Sequence, residues 1–296
     1  MESKSKAKQK NIVTKRFFFQ KDKFRRKLAP YLFVLPNLII FFTFIIVPAF
    51  VGLLYSFTDY DGLSDLNFIG IENYIKVFTS AEYWRIFSNT FIYAFGVVPL
   101  IFIGALGIAM LLIKEIKAKG LFRAIFYWPT MISFIIVGLT WKWIFGDSFG
   151  VLNYMLELLG FKAVNWLSDP TFAKISVIVG TVWARIGFFM VIFMAGLQSI
   201  PTSYYEAAQI DGASKNKMFW NITLPLLKPT SLLVLILLLI ESFKAYPLIL
   251  ALTGGGPAKA TTFVVQYIYE YGFTKGELGY ASEMSVVLFV VIATFQ

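Results

Sequence analysis

Residues 204–229 read YYEAAQIDGASKNKMFWNITLPLLKP. The stretch is polar and rich in helix formers, yet a long apolar segment stands on either side of it. Most connections between elements are only a few residues long, so a chain in a membrane seldom spends about 30 residues on turning round. A loop of this length with a helical start reads as a docking element rather than a connector.

The flanking composition says where the loop sits. The chain has 296 residues, 58% hydrophobic and 15% charged, with mean hydropathy +0.70. Soluble domains run near half apolar and about a quarter charged, so this chain belongs in a bilayer. It contains no Cys, which excludes a disulfide, a thiolate nucleophile and a Cys metal site. It contains no His, the commonest general base and metal ligand. No catalytic or metal-binding residue is assigned, and a membrane-embedded enzyme is disfavoured.

A spanning helix needs about 20 apolar residues. Six segments meet or approach that length: 31–57, 88–113, 122–145, 172–198, 230–252 and 280–296. The first is too long for a signal-peptide core of about 7–15 residues. The last is short and lacks the basic flank expected after it, which leaves two readings open: the sequence stops just inside the final helix, or a short tail is missing. Residues 1–28 form a basic tail, with eleven Lys/Arg within residues 1–27 against Glu2 and Asp22. Such a tail suits the cytoplasmic face of an anionic membrane better than nucleic acid. With the N-terminus inside, loops 114–123 and 199–229 are also inside and bring the basic count there to eighteen, against seven outside. The bias predicts both termini in the cytoplasm. Domain organisation is therefore a tail, 1–28, and a six-helix transmembrane domain, 29–296, carrying the loop 199–229. Trp128, Trp141, Trp143 and Trp166 fall near predicted helix ends, where amphipathic rings anchor at the interface.

Within the loop, Ser203 and Glu206 have capping-box spacing. Ala207, Ala208 and Gln209 favour helix, and Gly212 can take the left-handed conformation that ends one. A second helical piece is predicted at 217–222, before Leu224-Pro225. A helix this short gains little from propensity alone and persists best packed against another protein.

Glu206-Ala207-Ala208, Asp211-Gly212-Ala213 and Ile222-Thr223-Leu224-Pro225 together resemble the EAA signature of permease subunits of binding-protein-dependent ABC importers. The longer form, EAAQIDGA followed by ITLPLLKP, is similar to the carbohydrate-uptake class, of the multiple-sugar, raffinose and maltose first-permease type. Phe68-Ile69-Gly70-Ile71-Glu72-Asn73-Tyr74, Thr253-Gly254-Gly255-Gly256-Pro257 and Gly279-Tyr280-Ala281-Ser282 extend the likeness over almost the whole chain. The resemblance implies an all-α polytopic fold of the type I ABC importer permease kind, with about six transmembrane helices and a cytoplasmic EAA coupling helix. It implies a transport subunit in a bacterial plasma membrane that passes a sugar, an oligosaccharide by preference, inward by alternating access. It further implies a second homologous permease as heterodimer partner, two cytoplasmic ATPase subunits and an extracytoplasmic sugar-binding protein. Glu206, Ala207, Ala208, Asp211, Gly212, Leu224 and Pro225 would contact the ATPase, and Glu206 can cap its own helix as well. The chain has no G-x-x-x-x-G-K-[ST] phosphate loop, so ATP and Mg are expected on the partner and no cofactor on this chain. Gly254-Gly255-Gly256 reads as a tight outer turn.

Charges inside predicted spans are costly unless paired or hydrated. Arg185 lies near mid-depth of the fourth segment, and Glu241 and Lys244 stand three apart in the fifth. Two readings stay open. The three line a substrate path together with Tyr246, or Arg185 and Glu241 form an interhelical salt bridge that fixes packing. A permease for another polar nutrient such as glycerol phosphate is the alternative within the family. An ion-gradient transporter is the alternative outside it, but it calls for repeats and several intramembrane acids. Neither is seen here.

Overall fold

The computed structural model describes residues 28–114 and 117–295. The basic tail within residues 1–27 and the C-terminal Gln296 lie outside the described residues. Two units are distinguished, 1–54 and 55–296. Of the first, the described part is helical and belongs to α1 (Leu28–Tyr55), 28 residues long and apolar enough to cross a membrane. A π-helical turn, Phe42–Ile46, interrupts its register just ahead of Pro48, where proline cannot donate to the preceding turn.

The second unit is built on two long helices. After the short α2 (Glu72–Thr79), α3 (Ala81–Ile113) starts where the Ser80 hydroxyl accepts the Tyr83 N–H at 3.2 Å. The third predicted span is not one helix. It consists of α4 (Lys119–Tyr127), a 3-10 turn at Trp128–Met131, and α5 (Phe134–Ile144), with a bend of 100°. Pro129 sits in the turn, and Ile132 and Ser133 are extended, so the helical ladder stops there. The Thr130 hydroxyl re-anchors the break by donating to the Ala184 carbonyl at 3.0 Å.

Beyond a short helix, α6 (Val151–Leu158), comes α7 (Pro170–Gln198). Pro170 occupies its first turn, and the Asp169 carboxylate accepts the Thr171 and Phe172 N–H groups at 2.8 and 3.0 Å. α7 lies against α4 at Gly187, where a β-carbon would overlap the Phe126 carbonyl. Only a small residue permits that approach, the usual device where lipid supplies no hydrophobic drive between helices.

The loop of the opening stretch follows as α8 (Thr202–Ile210) and α9 (Lys215–Leu226), the latter with a π-helical turn at Phe219–Thr223 before Pro225. The fifth span, α10 (Lys228–Phe243), leaves α9 at 66°. It too departs from expectation. The helix ends at Phe243, residues 244–246 are non-helical, and a new helix, α11 (Pro247–Thr253), begins with proline in its first turn. Proline disfavours helical geometry in the residue before it, and Tyr246 has φ −151°. Lys244 and Tyr246 therefore lie in a break, not within one helix as the sequence reading had it for Lys244. Gly254 and Gly255, both with positive φ, make the turn that follows α11.

α12 (Val264–Tyr269) and α13 (Leu278–Ala293) complete the chain. Three described helices are long and apolar enough to span, two bent pairs raise the number to five, and α13 is a shorter sixth apolar segment. The buried core joins α3, α7 and α10 through residues such as Ile101, Phe189, Phe193, Val234 and Leu238. Trp128 and Trp143 are exposed as interface anchors would be, whereas Trp141 and Trp166 pack on Phe145 with ring centroids 5.0 and 5.6 Å away.

Candidate functional site

Two places gather the residues singled out from the sequence. The first is a cavity of about 250 Å³ between α3, α5, α7 and the break after α10. Arg185, Glu241, Lys244 and Tyr246 all line it. The Arg185 Nε donates to Glu241 Oε2 at 2.8 Å, and a second guanidinium nitrogen donates to Oε1. This bidentate pair crosses from α7 to α10. Its geometry is the strong form of a charge-assisted bond. The pair is asymmetric in exposure: the Arg185 side chain is 15% exposed and that of Glu241 is 40%. The carboxylate thus keeps a wet edge toward the cavity while the guanidinium is enclosed. Phe188, Phe134 and Phe189 enclose it, with ring centroids at 4.8, 5.6 and 5.6 Å.

Lys244 is exposed, its backbone N–H donates to the Ile240 carbonyl at 3.1 Å, and its ammonium pairs with no carboxylate among the described residues. Tyr246 faces Tyr269 at 5.5 Å. Two wall residues escaped the sequence reading. Tyr93, on α3, is buried and donates to the Thr181 hydroxyl of α7 at 3.1 Å. Among so many aromatic residues, nothing in the sequence marks a tyrosine that will face a threonine 88 positions away. The cavity therefore offers one screened ion pair, one unpaired ammonium and phenolic and hydroxyl edges on an apolar wall. Such a wall suits a polar, ring-shaped solute.

The second place is the loop. The predicted capping box does not form. α8 begins two residues early, with Pro201 at the cap position and no side-chain cap bond, which places Ser203 inside the first turn. The predicted stop does form. Gly212 has φ +72°, the Ala213 N–H donates to the Ala208 carbonyl at 2.8 Å, and the Gly212 N–H donates to that of Gln209 at 3.1 Å. The second helical piece is longer than predicted. The Ser214 hydroxyl accepts from the Lys217 N–H at its start. Tyr205 and Thr223 share a hydroxyl–hydroxyl bond of 2.9 Å that clamps α8 to α9. On the outside of this clamp Glu206, Ala207, Asp211, Gly212 and Pro225 are exposed, while Ala208 and Leu224 are half-buried. The clamp presents the signature residues on one ridge. These seven and the cavity group are separate clusters on the same unit.

Known proteins with the same pattern were then found. The trehalose/maltose transport system permease protein of Thermococcus litoralis is 36% identical over 93% of both chains. The sn-glycerol-3-phosphate transport system permease protein of Pectobacterium atrosepticum is 34% identical, over 91% of this chain and 92% of its own. Among solved structures, a chain of the bacterial alginate ABC transporter, crystallised with its alginate pentasaccharide-bound periplasmic protein, superposes with TM-score 0.81. It is 26% identical over 93% of each chain. The likeness confirms the helical type I permease fold of a multi-pass membrane protein. The family model described as the binding-protein-dependent transport system inner membrane component matches residues 27–295, and the chain belongs to that family.

Proposed function

We propose that this permease carries a sugar, an oligosaccharide by preference, inward across a bacterial plasma membrane as one half of an ATP-driven importer. The observation that carries the proposal is the exposed ridge of α8. Glu206, Ala207, Asp211 and Gly212 are exposed on a short helix that the chain's own bonds end at Gly212 and tie to α9. The chain is a transport subunit, and ATP with Mg belongs to a separate ATPase. The ridge docks into that ATPase, with Glu206 as its charged contact, Ala207 and Ala208 as the small packing face, and Asp211, Gly212, Leu224 and Pro225 shaping the turn and its base. Two ATPase subunits, a second and distinct permease, and an extracytoplasmic sugar-binding protein complete the assembly. Both termini face the cytoplasm, as the distribution of Lys and Arg supports.

Transport follows alternating access. Closure of the ATPase dimer draws the two coupling loops together, and the rigid α8–α9 clamp passes that displacement to α10 across the 66° bend. The sugar then meets Arg185, Glu241, Lys244 and Tyr246. Glu241 accepts from sugar hydroxyls, Lys244 donates, and Tyr246 stacks on the ring. The relatives that carry maltose and alginate support a saccharide. The glycerol-phosphate relative and the unpaired Lys244 favour a small anionic solute as the second reading. A panel of sugars and glycerol phosphate tested in ATP-loaded vesicles with the purified assembly decides between them. Uptake driven by an ion gradient without ATP refutes both.

A further inference from the structure

The chain crosses from α3 to α4 through a segment with a pronounced charge bias. Lys114, Lys117, Lys119 and Arg123 stand there against the single acid Glu115. Among the described residues none of the four cations pairs with a carboxylate. Lys119 is the best tied, donating to the Ile113 carbonyl at 2.9 Å and closing the end of α3. Lys119, Phe122, Arg123 and Phe126 are spaced three and four apart, so they share one face of α4. The Arg123 Nε is enclosed and has no hydrogen-bond partner among the described residues, an unusual state for a buried donor.

Beside these cations lies an apolar groove of about 400 Å³ between α3 and α4, lined by Ile108, Leu111, Leu112, Lys114, Phe122 and Phe126. Its walls offer no polar surface apart from the cationic rim. Water is poorly accommodated in such a groove, and a soluble anion would leave it empty.

We propose that the groove and its rim bind an anionic phospholipid of the cytoplasmic leaflet. An acyl chain fills the space against Leu111, Phe122 and Phe126, and Lys114, Lys117 and Arg123 take the phosphate. Charge complementarity selects the head group, since basic juxtamembrane clusters attract anionic lipid. The continuous apolar lining calls for a lipid rather than free phosphate. The lipid bridges the end of α3 to α4, which leads into the broken span beside Gly187. The leaflet assignment rests on the inward orientation proposed above; the site itself does not.

The assembled transporter, purified from mild detergent and exchanged into mixed micelles of phosphatidylglycerol and phosphatidylcholine, tests this by lipid extraction and native mass spectrometry. The expected result is retention of phosphatidylglycerol over phosphatidylcholine by about tenfold. K114Q/K117Q/R123Q should abolish the preference, while K114R/K117R should preserve it. Size-exclusion profiles identify any variant that fails to fold, and for such a variant the single substitution K117Q is read instead. Equal retention of both lipids, or an unchanged preference in the Gln variants, overturns the proposal. So does release of the lipid by millimolar glycerol phosphate, which would mean a head-group site alone. Loss of the ATPase subunit from the Gln variants would mean that a protein covers this face, and overturns it too. Wild-type chain that purifies without a second permease or ATPase sinks the importer reading and leaves the lipid measurement intact.

Discussion

Removing the Glu241 carboxylate tests how the cavity is built. Glu241→Leu leaves the Arg185 guanidinium, only 15% exposed, without its bidentate partner. Breaking a fully buried pair costs about 3–5 kcal/mol. Glu241 is 40% exposed to the cavity, so part of the attraction is already screened by water, which brings the figure down to about 2 kcal/mol. Arg185→Met leaves a carboxylate that the cavity can hydrate and should cost less, about 1 kcal/mol. The double variant R185M/E241L leaves no charge uncompensated and should fall within about 1 kcal/mol of wild type. The coupling energy from the cycle is then about 2 kcal/mol, within the range for contacting residues. Thermal unfolding of the purified chain in detergent reads it. The Glu241→Leu variant should melt roughly 4–8 °C below wild type, and the double variant should recover most of that loss. Additive effects, with coupling below about 0.5 kcal/mol, would refute the pairing. Uptake separates the two roles left open by the sequence. If the double variant assembles but does not transport, the pair touches the solute; if transport returns with assembly, the pair only fixes α7 against α10.

Other outcomes follow from the same geometry. Glu206→Arg should let the second permease co-purify while the ATPase is lost; retention of the ATPase at wild-type level argues against docking through α8. Gly212→Val forces a β-branched residue to φ +72° and should cost at least about 1–2 kcal/mol of local order, seen as faster hydrogen exchange confined to 202–226. Gly187→Leu must push α7 away from the Phe126 carbonyl, and a loss of about 1–3 kcal/mol or more should appear as lower yield and an earlier melt. Asp169→Ala removes the acceptor for two N–H groups at the start of α7 and should cost about 1 kcal/mol, with transport unchanged.

The amino-acid sequence on its own determined the class of molecule, the number of apolar segments, the position of the long polar loop and the left-handed Gly212. Those are local properties. Hydropathy, proline and glycine placement, and charge bias act over a few residues or one segment, and they read the same wherever the segment ends up. The ion pair of Arg185 with Glu241 was legible as one of two possibilities, because a bilayer leaves few ways to hold a charge. What the sequence could not decide was where segments break and which faces meet. The 100° bend at Pro129 and the unwound stretch at 244–246 ahead of Pro247 appear only in the folded chain. The Ser203 cap did not form because the helix started two residues earlier, with Pro201 at the cap position. Tyr93 and Thr181 became cavity walls, and Lys119 came to close the end of α3, through contacts between helices. Such contacts depend on the rotation of each helix about its axis, which an almost uniformly apolar segment does not encode in its own composition.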